Sequence, residues 1–208
     1  MIVIENLSSN KVHKSIKVAA ICGITSQVVA LSVLTGASIA NSPWFDWTKE
    51  HISALGVEGS TKMFFNTGMM LVGILGLIFA VGLGQILSSG RLGQIAVVSL
   101  LLGSFSLFIM GAFPRTFDFL HAMSAITFYV FITLALFFMG AVAISTDQVK
   151  WGVVSVAGGI LISVPQLIIG PLSGGAVLQL ASFLPWSVWT VAVGVSLLMN
   201  LLPLESDK

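Results

Sequence analysis

Long, uninterrupted apolar stretches dominate the chain, and short polar segments separate them. A bilayer core of about 30 Å is crossed by about 20 apolar residues in a helix. Unbroken apolar runs fit helices, whereas a membrane barrel requires alternating polar and apolar positions. The pattern therefore predicts an all-α polytopic membrane protein, a bundle of six transmembrane helices at about 18–40, 63–87, 92–113, 119–144, 151–170 and 183–202.

The connections between these spans are mostly too short to hold a soluble domain. Only two of them, at 41–62 and 171–182, are longer. We expect residues 1–17 and 204–208 to form tails around a single transmembrane domain at 18–203. The first apolar run is too long for the core of a signal peptide, so we expect it to remain as an uncleaved span.

Composition agrees with the membrane assignment, because 56% of the residues are hydrophobic and 8% are charged. A soluble chain carries roughly 25% charged residues. The 9 basic and 8 acidic residues nearly cancel, which argues against nucleic acid as a partner. A single cysteine excludes an intramolecular disulfide, and the chain has no nucleotide-binding or haem-attachment motif, so we expect no cofactor.

The basic residues near the ends of the spans predict the orientation. We expect a multi-pass protein of the cell membrane with both termini in the cytoplasm and both longer connections on the outer face. This orientation places more basic residues inside than outside: Lys11, Lys14, Lys17, Arg91, Lys150 and Lys208 against Lys49, Lys62 and Arg115.

Small residues recur at a spacing of four in the second and fifth spans. In lipid, close approach of helix backbones replaces the hydrophobic effect as the reason for packing. The spacing predicts contacts between helices of one chain, with a homodimer interface as the less favoured alternative. Four polar residues within the spans are expected to form interhelical hydrogen bonds, namely Gln27, Gln166, Gln179 and Asn200. The two rows are Gly76, Ala80 and Gly84, and Ser155, Gly159 and Ser163.

The first of the longer connections has the features of a short helix at the membrane interface. Asp46 is a suitable N-terminal cap and Gly56 a suitable C-terminal stop. Trp44 and Trp47 are expected to anchor this segment, because indole rings favour the headgroup layer.

Four short motifs follow one another from this connection onward. They are Phe45-x-Trp47-Thr48, Ser53-x-Leu55-Gly56-Val57, Phe65-Asn66-x-Gly68, and Phe113-Pro114 with His121. With these motifs the chain resembles the DUF998 family of prokaryotic six-span membrane proteins over about 18–202. The resemblance implies a six-span fold without an assigned activity. Family members often have Asp in place of Ala54, so a reaction relying on that acid would lack it here.

Ionisable residues outside the tails collect near the predicted outer surface. Asp118 and His121 are three residues apart at the start of the fourth span and therefore share one helix face. Arg115 precedes them, and Asn66 lies at the mouth of the second span, where a buried polar group usually faces the bundle interior. We expect these four residues and Asp46 to form a ligand-binding site.

Each of these residues also has a structural interpretation. Asp118 can cap the fourth helix, and His121 can bond a carboxylate or a loop carbonyl. Arg115 can pair with Asp118 or Asp46, or it can hold an anionic headgroup. His121, Asp118 and His51 are candidate metal ligands, although His51 is otherwise expected to be a solvated side chain. A catalytic zinc site needs about three protein ligands, here gathered from two loops.

Three functions remain open at this stage. The favoured one is a non-catalytic module that binds a lipid or small amphipathic ligand at its outer mouth, with membrane lipids as partners. The second is an accessory subunit that packs against other membrane protein subunits of a larger complex. The third is a metal-assisted hydrolase of lipid headgroups. Binding and accessory roles rank above catalysis because they require only features that the sequence visibly supplies.

Overall fold

The structure is a computed structural model that describes residues 2–87, 90–169 and 175–199, with the backbone alone at 2–11 and 166–169. The described part contains six long helices and no strand. Five of them are long and apolar enough to cross a membrane, and the described apolar part of the fifth helix is shorter. The predicted all-α membrane bundle is therefore confirmed. The helices are α1 Ile2–Ala40, α2 Lys62–Leu87, α3 Arg91–Ala112, α4 Asp118–Ser145, α5 Val149–Ile169 and α6 Ala176–Leu198.

The six helices form a closed ring. Each helix packs against its neighbours in the sequence, and α6 packs back against α1. The interior is mostly apolar, with Phe79, Leu100 and Ile132 almost fully buried. Apolar side chains such as Val153 and Val188 are exposed on the outside, as expected of surfaces that face lipid.

Two helices begin earlier than the apolar pattern predicted. The helix α1 begins at Ile2, so the predicted tail at 1–17 is largely helical. The helix α6 begins at Ala176, within the predicted connection at 171–182. Its first amide groups are satisfied by another loop, because the N–H groups of Ala176 and Val177 donate to the carbonyl oxygens of Glu50 and Trp47 at 2.6 and 3.1 Å. The predicted tail at 204–208 lies outside the described residues.

The predicted interfacial helix is shorter than expected. Only Ile52–Gly56 is helical, as a 3-10 turn, and the segment before it is a separate turn. Asp46 therefore caps that turn: its Oδ1 accepts the backbone N–H of Thr48 at 2.9 Å. A continuous helix is not compatible with these contacts, because the carbonyl groups of Trp47 and Glu50 bond to α6.

The row of small residues in α2 lies against α3. A Cβ atom added at Gly76 would lie 2.8 Å from the Oγ of Ser104, and one added at Gly84 would lie 3.3 Å from Val97. Ala80, which lies between these two glycines in the sequence, is fully buried. These contacts place the α2 row at a helix interface within one chain.

The row in α5 faces two neighbours. Gly159 lies against α4, where an added Cβ atom would be 2.9 Å from the ring of Phe137. The Ser155 hydroxyl accepts a hydrogen bond from Trp189 Nε1 of α6 at 2.8 Å. Ser163 is half-buried, and its hydroxyl donates to the carbonyl of Ile160 in its own helix.

Gln27 supplies a predicted hydrogen bond between helices, whereas the predictions for Gln166 and Asn200 fall on side chains outside the described ones. Its Oε1 accepts the hydroxyl of Ser187 at 2.8 Å, which joins α1 to α6 inside the ring. Both side chains are buried, so the bond satisfies polar groups that neither water nor lipid reaches.

Candidate ligand-binding cavity

A cavity of about 580 Å³ lies within the ring at the end formed by residues 41–61, 113–117 and 175, here called the long-loop end. Five helices line it, namely α1, α2, α3, α4 and α6, together with residues 51–53. Its walls are mostly apolar and include Met69, Leu107, Met110, Phe128 and Phe183. Its volume falls within the range of about 300–1,000 Å³ that is usual for sites of small molecules.

Most of the residues predicted to bind a ligand line this cavity. Arg115, Asp118, His121 and Asn66 all contribute to its surface. The two motif-bearing segments that carry them, at the start of α2 and at the start of α4, thus meet around one space. The fifth candidate, Asp46, does not line it.

Asp46 is occupied by its own turn. Its carboxylate accepts the hydroxyl and the N–H of Thr48 and forms an ion pair with Lys49 at 3.1 Å. The bonds to Thr48, followed by that to Lys49, lower the pKa of Asp46 to about 2. Asp46 thus stabilises the loop turn, and it is not among the residues that line this cavity.

Trp44 and Trp47 are packed more tightly than simple interface anchors would be. Both are half-buried, and their rings make edge contacts with Phe45 at centroid distances of 5.7 and 5.4 Å. Trp44 Nε1 also donates to the side chain of Asn41 at 3.2 Å. These contacts hold the loop against the ends of α1 and α2 at the cavity rim.

Asn66 connects α2 to the loop at 41–61, here called the long loop. Its Nδ2 donates to the carbonyl oxygen of Gly56 at 2.8 Å, at the end of the 3-10 turn. The remaining side of the half-buried amide faces the cavity. Asn66 therefore holds the rim in place and also contributes polar surface.

His121 is bonded to a loop carbonyl, which was one of the two structural interpretations of this residue. Its Nδ1 lies 3.0 Å from the carbonyl oxygen of Phe113. A carbonyl oxygen can only accept, so we assign the proton of the neutral ring to Nδ1. Nε2 of the neutral ring is then an acceptor, and His121 lines the cavity.

His51 has the opposite tautomer. The N–H of Ile52 donates to Gln179 Oε1 at 2.8 Å, so the amide nitrogen of Gln179 faces His51 Nδ1 at 3.0 Å. Nδ1 then accepts, and the proton of the neutral ring is on Nε2. Burial, followed by the positive charge of Arg115, lowers the pKa of His51 below its ordinary value of 6.5, and Glu50 opposes this.

This arrangement corrects the expectation that His51 is solvated. The side chain is half-buried and lines the cavity together with Arg115, whose positive charge lowers the pKa of His51. Gln179 bonds α6 to the loop instead of to another long helix, which differs from the expected interhelical bond, and it also lines the cavity. Sequence reasoning did not include Gln179 in the site, because its partner His51 is 128 positions away in the chain.

Arg115 and Asp118 face the same cavity without pairing. Within the ranges that the structure describes, the ion pair present is Lys49 with Asp46. Asp118 is not a helix cap either, since the cap position falls on Phe117, which makes no side-chain capping bond. The chain enters α4 through a 3-10 turn at Arg115–Phe117, and this turn shifts Asp118 into the helix. Both charged side chains are exposed, and the part of the cavity that they line is here called its mouth.

The three candidate metal ligands line one cavity but do not form a ligand set. Among the described residues no group of three His, Cys, Asp or Glu side chains is placed to hold a metal ion. The metal-assisted hydrolase therefore stays a prediction without a three-ligand site in the described part of the chain.

The model of the DUF998 family, whose description is a protein of unknown function, matches residues 24–196. No curated protein and no solved structure matches the chain at a significant level. The matched region extends from α1 to α6 and includes every residue assigned above to the cavity. Because the match covers well over half of the 208 residues, this chain belongs to the DUF998 family.

Proposed function

We propose that this membrane protein binds an amphipathic ligand, either a lipid or a small amphiphile, in the cavity at the long-loop end. The observation that carries the proposal is the combination of apolar walls with Arg115 at the mouth, where its guanidinium has no carboxylate partner among the described residues. The apolar part of the ligand would lie among Met69, Met110 and Phe128, and its head would lie at Arg115.

Physical chemistry supports this division of the ligand. Each square ångström of apolar surface removed from water contributes about 25 cal/mol, so the walls favour a hydrocarbon chain. A guanidinium binds phosphate or carboxylate through two parallel hydrogen bonds, and such bonds are stronger beside apolar surface than in water. The opposed tautomers of His51 and His121 add a donor and an acceptor to the same mouth.

We also propose that the long-loop end faces outward from the cell membrane. The support is the distribution of basic residues, which favours cytoplasmic termini. The cavity mouth would then accept its ligand from the outer leaflet or from the outside. We propose that this site recognises its ligand without chemical change.

Lipid retention tests the proposal. The protein is purified in a mild detergent from membranes of its host, and the lipids that remain bound are identified by mass spectrometry. We expect one class of amphiphile to be enriched over the bulk membrane and to fall by about tenfold in Arg115→Gln, because a charge-assisted contact is worth roughly 1.5–3 kcal/mol.

Lys49→Gln is the matched control, because Lys49 is exposed and pairs with Asp46 outside the cavity. It should retain the amphiphile at the level of the unaltered protein. Equal retention by both variants, or no enrichment at all, would contradict the proposal. A protein that carries no enriched lipid and is stable only together with another chain would favour the accessory subunit instead.

A further inference from the structure

The mouth of the cavity carries donors and acceptors in two separate groups. We propose, building on the ligand-binding function above, that the head of the ligand is zwitterionic, with an anionic group beside a primary ammonium group. The anionic group would bind Arg115 and His51, and the ammonium group would bind Asp118 and His121.

The donor pair consists of Arg115 and His51. They belong to different segments, the turn before α4 and the long loop, which contact each other, and both residues line the cavity. The guanidinium presents only donors. The Nε2 of His51 also donates, because Gln179 holds Nδ1 as an acceptor. This side of the mouth therefore suits phosphate or carboxylate oxygens.

The acceptor pair consists of Asp118 and His121. They share one face of the first turn of α4, three residues apart. The carboxylate presents only acceptors, and Asp118 forms no hydrogen bond or ion pair with a described residue. The carbonyl of Phe113 holds Nδ1 of His121 as a donor, so its Nε2 accepts. This side of the mouth therefore suits a group that donates N–H bonds.

The two charges at the mouth determine which head fits. Arg115 and Asp118 line one cavity but do not neutralise each other, so each keeps its binding capacity for a ligand. A purely anionic head would place negative charge beside the unpaired carboxylate of Asp118. A purely cationic head would place positive charge beside the unpaired guanidinium of Arg115. A quaternary ammonium has no N–H group to give to the acceptors, whereas a primary ammonium has three.

Single-chain probes that differ only in the head test this inference. The probes share one alkyl chain and carry phosphoethanolamine, phosphocholine or phosphate, and the dissociation constant of each is measured with the full chain in detergent. We expect phosphoethanolamine to bind about tenfold tighter than the other two, as the loss of one charge-assisted contact implies. Phosphoethanolamine without an alkyl chain is measured as well. If the natural ligand is a lipid, this probe should bind more weakly than the probe with the chain, and if it is a soluble zwitterion, the two should bind equally.

Asp118→Asn should remove the preference for phosphoethanolamine over phosphate while both probes still bind. Asp46→Asn is the matched control, because it removes the same charge from the same end of the protein outside the cavity, and it should keep the preference. If the three probes bind equally, the zwitterion is refuted and the ligand-binding function stands. If no probe binds, both proposals are refuted. A preference that persists in Asp118→Asn refutes the assigned role of Asp118.

Discussion

The side chain of Gln179 joins the long loop to α6, and replacing it gives the sharpest test of the cavity rim. It accepts the N–H of Ile52 at 2.8 Å and donates to His51 at 3.0 Å, from a half-buried position in the first turn of α6. Gln179→Leu keeps the side-chain bulk and removes both bonds. Ile52 N–H and His51 Nδ1 are then left without these partners.

The expected loss follows from the two bonds. Leaving a buried polar group unsatisfied costs about 1–3 kcal/mol, and partial access to water reduces this for half-buried groups. We therefore expect Gln179→Leu to lower the free energy of unfolding by about 2 kcal/mol. In a chain of this size about 1 kcal/mol corresponds to a change in Tm of about 2–4 °C, which gives a fall of about 4–8 °C.

Gln179→Glu separates the two bonds. A carboxylate still accepts the N–H of Ile52 but has no proton for His51 Nδ1, so it favours the protonated ring and should raise the pKa of His51. Thermal unfolding in detergent and NMR titration of His51 measure the two effects. Gln148→Leu is the control, because Gln148 lies at the opposite end between α4 and α5. An unchanged Tm in Gln179→Leu, or an unchanged pKa of His51 in Gln179→Glu, would refute the assigned bonding.

Three further predictions concern packing, pH and topology. Gly159→Leu should lower stability by about 1–3 kcal/mol through overpacking against α4, whereas Gly90→Leu should lower it less, because no atom lies within 4 Å of an added Cβ at Gly90; equal Tm values would contradict this. The pKa of His51 is lower in the folded chain than in the unfolded chain, so below pH 6.5 the unfolded chain binds the proton more readily. The free energy of unfolding should therefore be unaffected by His51 above pH 6.5 and should fall as the pH drops below it. If His51→Gln showed the same pH dependence, this role of His51 would be refuted. In a background without the native cysteine, Cys at position 49 should react with an impermeant reagent from outside and Cys at Thr146 only from inside; the reverse would overturn the orientation.

Local sequence features predicted most of the fold. Unbroken apolar runs specify helices because the backbone must satisfy its own hydrogen bonds in lipid. The start of α6 was missed because its first two turns contain the polar residues Gln179 and Ser182, which resemble a loop. The first turn is helical because carbonyl groups of the long loop accept its first N–H groups, and the sequence carries no signal of such a distant partner.

The site was predictable where it depends on spacing within one segment. Arg115, Asp118 and His121 were found because they occur together at the start of α4. The bonds of Asp46 to Thr48 and Lys49 could not be predicted, because an acidic residue between two spans gives no indication of which neighbours its carboxylate contacts. The tautomers of the histidines depend on backbone groups that only the fold brings to them.

The central claim is that the cavity at the long-loop end holds the ligand, and photochemical labelling tests it most directly. A single-chain phosphoethanolamine lipid with a photoreactive group on its alkyl chain is bound, irradiated and mapped by peptide mass spectrometry. The account predicts adducts on cavity residues such as Met69 and Met110, and their loss in Ala125→Trp, which fills the cavity from α4. Adducts confined to outward-facing residues such as Val98 and Val153, and unchanged by Ala125→Trp, would contradict it.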